Sequence, residues 1–243
     1  MTNPTAQIEV DALDCVIEHK PILSGVSFRT DEARLGVIGR NGSGKSTLAR
    51  LMAGLITPSA GSVRVAGVDV ARDRKAALGA VGILFQNPDH QIIFPTVAEE
   101  LAFGLRQQGR AKDVADAEVR TTLDGFGKAH WYDASIQTLS QGQRQLVCLM
   151  AILAMRPQVL ILDEPFAGLD IPTRMQLSRY LGRSQAVLVH VTHDPQDLAG
   201  YDRVLWLDQG QLRHDGPAAD VLERFTQEMT RIGGGDDISD LAG

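Results

Sequence analysis

The fold is decided by Gly39-Arg40-Asn41-Gly42-Ser43-Gly44-Lys45-Ser46, which matches the pattern G-x-x-x-x-G-K-[ST]. Glycines in this pattern let consecutive backbone N–H groups turn toward the β- and γ-phosphates of a nucleotide, and Lys45 supplies a point charge. Ser46 is predicted to place its hydroxyl on Mg²⁺. Residues 34–38 form an apolar strand before the loop, and residues 47–55 follow it as a helix whose positive end faces the anion. The sequence therefore predicts a site for ATP and Mg²⁺.

The bulk properties are those of one large globular domain with room for an inserted lobe, since the chain has 243 residues, 44% hydrophobic and 22% charged. A formal charge of -6 argues against a nucleic-acid partner. The longest apolar run, 146–155, is too short for a membrane span of about 20 residues and predicts a buried helix. The first residues carry no secretory pattern, so we expect cytoplasmic residence. Cys15 and Cys148 are expected to be reduced structural thiols.

Strand-like and helix-like runs alternate along the chain, which predicts a mostly parallel sheet flanked by helices. Residues 61–70 read as a hairpin between glycines. Between residues 87 and 156 the pattern becomes helical, with capping boxes at Thr96-x-x-Glu99 and Ser140-x-x-Gln143. We predict a core made of 1–86 and 157–218 and a helical subdomain at 87–156. The remainder, 219–243, is predicted to be a C-terminal helix and a flexible acidic tail.

Two carboxylates follow the apolar strand 159–162 directly, at the end where chemistry gathers in parallel sheets. Asp163 suits a direct or outer-shell partner of Mg²⁺, and Glu164 suits a base that orients water for in-line attack on the γ-phosphoryl group. Alone, an Asp-Glu pair after a strand most often marks a helix start. Together with the phosphate loop, the pair favours ATP hydrolysis.

A third motif is Leu139-Ser140-Gln141-Gly142-Gln143. With the loop at Gly39 and the spacing to Asp163, this run resembles the signature sequence of ATP-binding-cassette (ABC) ATPases, most of which have Gly where Gln141 stands. Other pieces appear in the family's order over about residues 7–218. Gln86 resembles the Q-loop glutamine, 167–170 the D-loop, and His193 the switch histidine.

This resemblance implies a P-loop NTPase (RecA-like) α/β core with an N-terminal antiparallel β subdomain and an inserted helical subdomain. It implies that His193 contacts the γ-phosphate, and that Gln86 approaches Mg²⁺ and the attacking water while sensing the partner. Asp170 would cross the interface between two subunits. The signature of one subunit would close the phosphate loop of the other, so a monomer would be nearly inactive. The expected signature contacts in trans are Ser140, Gln141, Gly142 and Gln143. The expected contacts within the subunit are Gly39, Asn41, Gly42, Ser43, Gly44, Lys45, Ser46, Thr47 and Ile17.

One family element is missing, because Ile17-Glu18-His19 stands where an aromatic residue usually stacks on adenine. Base stacking on an aromatic ring contributes about 1–3 kcal/mol. We therefore expect Ile17 or His19 to cover the base, with weak discrimination between ATP and GTP.

The segment 85–104 closely resembles the Q-loop region of energy-coupling-factor (ECF) ATPases, which power uptake of vitamins and of cobalt or nickel ions. That resemblance implies a groove for a transmembrane scaffold protein, here at Asp89, His90, Gln91 and Phe94. It also implies a substrate-binding membrane protein, a second ATPase subunit and a location at the cytoplasmic face of the inner membrane. Both halves of the composite site look intact, which favours a homodimer. The cargo, such as biotin or cobalt, cannot be read from these residues.

Two other classes of protein also contain a phosphate loop of this kind. A soluble ABC ATPase acting as a mechanical or assembly factor is the alternative, although long heptad arms or a tandem second cassette, which mark several of those proteins, are absent from the sequence. A P-loop kinase explains the phosphate loop but leaves the signature helix without a role.

Overall fold

The computed structural model describes residues 8–234. Its strands are β1 (Ile8–Ile17), β2 (Lys20–Thr30), β3 (Arg34–Ile38), β4 (Ala60–Val65), β5 (Val68–Asp69), β6 (Val81–Leu84), β7 (Val159–Asp163), β8 (Val187–Thr192), β9 (Arg203–Asp208) and β10 (Gln211–Pro217). Its α-helices are α1 (Lys45–Met52), α2 (Arg74–Ala80), α3 (Val97–Gln107), α4 (Lys112–Gly125), α5 (Gln141–Ala154), α6 (Ile171–Arg183) and α7 (Ala218–Gly233).

Two sheets organise these elements. The larger sheet has the order β10-β9-β3-β8-β7-β6 and is parallel except for β10, which pairs antiparallel with β9. Every residue of β7 and β8 is buried, as expected for strands covered on both faces. The smaller sheet, β2-β1-β4-β5, is antiparallel throughout. The predicted α/β core with an antiparallel β portion is confirmed.

The hydrophobic core has three parts. One fills the space between the two sheets and around α1, and a smaller one lies under α7. The third joins α3, α4 and α5 to the other face of the larger sheet through residues such as Leu84, Leu160 and Leu162. The helical region between 87 and 156 therefore shares its core with the sheet, and its boundaries as a subdomain stay a prediction.

Most local predictions agree with the structure. Helix α3 begins after Thr96, whose hydroxyl accepts from the Glu99 N–H, and α5 begins at a complete capping box. Helix α1 begins at Lys45, two residues before the predicted start, because the phosphate loop passes directly into the helix. Helix α7 ends at Gly233, and the predicted tail beyond Gly234 lies outside the described residues.

Within residues 8–234, no helix combines the length and the apolar character that a membrane crossing requires. The apolar run 146–155 instead lies mainly in α5, which is packed into the core. Cys15 and Cys148 are both buried free thiols, and burial raises the pKa of each.

Candidate nucleotide site

The phosphate loop joins β3 to α1 and needs glycine at several positions. Gly42 and Gly44 have φ angles of 79° and 98°, in the left-handed region that favours glycine. A Cβ on Gly39 would lie 2.2 Å from the Leu207 carbonyl oxygen, so only glycine lets the loop pass this close to β9. Ser43 Oγ is buried without a hydrogen-bond partner among the described residues. The loop thus holds an unused hydroxyl beside its backbone N–H groups, as an anion cradle requires.

Lys45 fixes the shape of this loop. Its ammonium donates to the carbonyl oxygens of Gly39 and Arg40 at 2.8 and 2.9 Å, and the residue is only 5% exposed. Burial lowers the pKa of Lys45, whereas the carboxylates of Glu164 and Asp163 raise it. A buried cation is therefore held against the loop and is balanced by the two predicted carboxylates.

Ser46 and Asp163 form the candidate Mg²⁺ site. The Ser46 hydroxyl donates to Asp163 Oδ1 at 3.0 Å, and Asp163 is 5% exposed. Burial raises the pKa of Asp163; the hydrogen bond from Ser46 opposes this, and the neighbouring Glu164 carboxylate adds to it. Oxygen donors with excess negative charge fit a hard divalent cation. No cluster of three or more His, Cys, Asp or Glu side chains suited to a metal occurs in the described part of the chain.

Three predicted catalytic side chains converge just past the ends of β6, β7 and β8. Glu164 Oε1 lies 3.0 Å from His193 Nδ1, and Glu164 Oε2 accepts a hydrogen bond from Gln86 Nε2 at 3.3 Å. The backbone of Glu164 has a φ of 48°, and its N–H donates to the Val191 carbonyl at 2.9 Å. This left-handed turn at the strand end directs Asp163 and Glu164 to different partners.

The signature and the D-loop lie side by side at the starts of α5 and α6. A Cβ on Gly142 would lie 2.6 Å from Thr173 Cγ2, and one on Gly168 would lie 3.4 Å from Gln141 Nε2. Asp170 caps α6 by accepting from the Thr173 N–H at 2.9 Å, and its hydrogen bonding to Thr173 lowers the pKa of Asp170. The side chain of Gln141, where most ABC ATPases have Gly, therefore rests beside the D-loop of its own subunit.

The end of the site that would meet the base is less complete. Ile17 is 44% exposed at the turn between β1 and β2, where Glu18 and His19 have φ angles of 49° and 64°. Strand β2 packs on the phosphate loop, because a Cβ on Gly44 would lie 2.6 Å from Leu23 Cδ2. This packing holds the turn near the loop, but the turn carries no aromatic ring.

The predicted groove residues differ in their surroundings. Asp89 and His90 are exposed on a short 3₁₀ turn, and Phe94 is half-buried with its ring 5.2 Å from that of Phe103. Gln91 is half-buried, and its amide oxygen accepts from the Phe85 N–H at 3.2 Å. The Gln91 side chain thus closes the loop around Gln86.

Sequence reasoning missed two buried polar groups behind this segment. Glu100, which is 6% exposed, accepts from the N–H groups of Ile93 and Phe94 at 2.9 Å each. Gln145, which is 1% exposed, donates to the Phe85 carbonyl at 2.9 Å. Each of these residues is a polar residue on the apolar face of a helix. Because buried polar groups nearly always have a hydrogen-bond partner, this pattern could have indicated a buried contact.

Comparisons with known proteins agree with this geometry. The model of the ABC transporter family matches residues 23–167. The biotin transport ATP-binding protein BioM of Rhodobacter capsulatus is 53% identical over 212 residues, covering 87% of this chain and 90% of that protein. BioM of Rhizobium etli is 41% identical over 194 residues, covering 80% and 86%. The structure of cbiO1 from Clostridium perfringens, part of the ABC transporter complex cbiONQ, has a TM-score of 0.74 at 27% identity, covering 93% and 96%. This chain therefore belongs to the ABC transporter family and is one of its ATPases.

Proposed function

We propose that this chain is the ATP-hydrolysing subunit of an ECF-type importer of biotin. The observation that carries the proposal is the 53% identity to a biotin transport ATP-binding protein over most of both chains. A second biotin transport protein at 41% identity supports the same cargo. The similarity to cbiO1 supports the ECF type. These relatives favour biotin over cobalt or nickel, which the sequence alone had left open.

The phosphate loop binds the nucleotide. Its backbone N–H groups and the Lys45 ammonium hold the β- and γ-phosphates, and the Ser43 hydroxyl offers one more donor. Ser46, Asp163 and Gln86 would hold Mg²⁺, which when bound neutralises charge on the phosphate oxygens. The hydrogen bond from the Ser46 hydroxyl to Asp163 Oδ1 supports this assignment, because it places the two oxygen donors side by side.

Glu164 orients the attacking water. Its carboxylate accepts a proton from that water as the oxygen attacks the γ-phosphorus in line, while the bond from phosphorus to the β–γ bridging oxygen breaks and ADP leaves. His193 contacts the γ-phosphate and steadies Glu164 at Oε1. Gln86 steadies Oε2 and reports the position of its own loop. The 3.0 and 3.3 Å contacts of Glu164 support these roles.

Two copies of the chain complete each site. In the proposed homodimer, Ser140, Gln141, Gly142 and Gln143 of one subunit face the phosphate loop of the other, and Asp170 crosses the interface. Hydrolysis requires this closure because the signature supplies a helix N-terminus that stabilises the γ-phosphate charge. The adjacency of signature and D-loop in one subunit supports a shared face for pairing.

The membrane partners dock at the segment after β6. Asp89 and His90 are exposed there, and Ile93 is 66% exposed next to Phe94. A transmembrane scaffold protein would bind this groove, with a separate membrane protein binding biotin. The chain would then be peripheral on the cytoplasmic face of the membrane. Gln86 belongs to the same segment, so only a few residues of chain separate the groove from a side chain of the proposed nucleotide site.

Co-purification tests this function. The tagged chain is expressed with its genomic membrane neighbours, and we expect a detergent-stable complex that binds radiolabelled biotin and hydrolyses ATP. Lys45→Ala is the matched control, expected to assemble without hydrolysing ATP. Recovery of the chain with DNA-repair, translation or iron-sulfur assembly proteins and no membrane protein would instead support the assembly-factor alternative and overturn the proposal.

A further inference from the structure

The beginning of α5 is hydrogen-bonded to the segment that follows β6. Gln145 Nε2 donates to the Phe85 carbonyl at 2.9 Å, and the Phe85 N–H donates to Gln91 Oε1 at 3.2 Å. Phe85 immediately precedes Gln86, and Gln145 is almost fully buried. Because pulling the buried Gln145 Nε2–H away from its acceptor is costly, the backbone at Gln86 and the start of α5 are expected to move together.

Arg144 makes a second link, and this one reaches the groove. Arg144 Nη1 donates to the Leu139 carbonyl at 2.8 Å, while Arg144 Nε lies 3.0 Å from Asp89 Oδ1. The Nε–H is too poorly aligned for a hydrogen bond, so the contact with Asp89 is an ion pair. One planar guanidinium thus contacts both the peptide that leads into Ser140 and the exposed turn of the groove. The planar guanidinium of arginine carries several N–H donors and can contact both groups, whereas the single ammonium of a lysine could not.

The groove end of this link is exposed to solvent, and hydrogen bonds hold its backbone. The Asp89 side chain is 59% exposed, compared with 24% for Arg144, so a docked partner would meet Asp89 first. The turn that carries Asp89 is capped by Asn87, whose side chain accepts from the Asp89 N–H at 2.9 Å. Further along, Glu100 holds the backbone N–H groups of residues 93 and 94. A shift of this segment is therefore expected to carry Asp89 as part of a rigid unit.

We infer that Arg144 is a positioning residue that couples Asp89 in the groove to Ser140 of the signature. A load on the groove moves Asp89, the guanidinium follows, and the Leu139 carbonyl shifts the residue that caps α5. Arg144 itself is not among the predicted nucleotide contacts. The inference rests on the proposed function in one respect, because Ser140 matters for hydrolysis only if it completes the site of a second copy.

A double-variant cycle on the isolated chain tests the coupling without any membrane component. ATP hydrolysis is measured for the wild type, Asp89→Asn, Arg144→Met and the double variant, with thermal unfolding recorded for each to verify folding. We expect Asp89→Asn to lower kcat/KM by about fivefold, the low end of coupling between sites, and to have no further effect once Arg144 is Met. Equal effects of Asp89→Asn in both backgrounds, or no effect in either, would overturn the inference.

Two further variants separate positioning from simple ion pairing. Arg144→Lys keeps the charge but cannot bridge both atoms, so we expect it to behave like Arg144→Met. Full rescue by Lys would show that charge alone matters and would refute the bridging role. Arg156→Met is the matched control, because it removes an ion pair with Glu118 (2.7 Å) just past the other end of α5, and it is expected to leave kcat/KM unchanged. These assays need no membrane protein. Their outcome therefore does not depend on whether the importer proposal is correct.

Discussion

Glu164→Gln removes the carboxylate between Gln86 and His193 while keeping the side chain's size. The amide has one oxygen, so it cannot accept hydrogen bonds from both Gln86 Nε2 and His193 Nδ1, which lie 3.3 and 3.0 Å from the two carboxylate oxygens. An amide also cannot take the proton of the attacking water. We expect hydrolysis to fall by at least about 10²-fold, the low end for losing a general base, which corresponds to about 2.7 kcal/mol in the barrier.

Nucleotide binding is expected to survive this change, because the proposed phosphate contacts come from the loop at 39–46 and Asp163 remains beside Ser46. The assay pairs phosphate release in a single turnover with an equilibrium titration of ATP. Glu223→Gln, an exposed carboxylate on α7, serves as the control and should keep the wild-type rate. Turnover by Glu164→Gln within tenfold of the wild type would show that another group acts as the base.

Lys45→Ala removes the buried ammonium, so both ATP binding and hydrolysis should be lost; ATP binding in an equilibrium titration would contradict this. Ser140→Ala should slow hydrolysis only in the assembled dimer, and equal slowing at dilutions where sedimentation shows monomer would argue against a signature acting in trans. Because the turn at Ile17 has no aromatic ring, ATP and GTP should compete with comparable affinities, and a large preference for ATP would refute this. Glu100→Ala leaves two N–H groups without their buried acceptor, so urea denaturation should show a loss of about 3 kcal/mol in the free energy of unfolding, and a loss under about 1 kcal/mol would contradict the role.

The features that the sequence predicted well are those specified by neighbouring residues. The phosphate loop carries its own turn glycines, and the capping box at Ser140 defines the start of α5 through residues three positions apart. The buried strands β7 and β8 are nearly continuous apolar runs, which predict a parallel sheet with its functional residues at the carboxyl ends of the strands. ABC membership could be predicted because the motifs occur in a fixed order.

The features that escaped prediction depend on contacts across long stretches of chain. Arg144 meets Asp89 across 55 positions, and Gln145 meets Phe85 across 60, so no local pattern marks either pair. The left-handed turn at Glu164 is invisible in sequence because glycine usually occupies such positions. The shared core of helices and sheet likewise depends on packing that periodicity does not specify.

Biotin uptake by membrane vesicles that contain this chain and its membrane partners tests the central claim most directly. We expect uptake to require ATP on the side of the membrane where the chain binds, and to be lost with Glu164→Gln although the complex still assembles and binds nucleotide. Undiminished biotin uptake by vesicles carrying Glu164→Gln, or by vesicles lacking the chain, would contradict it.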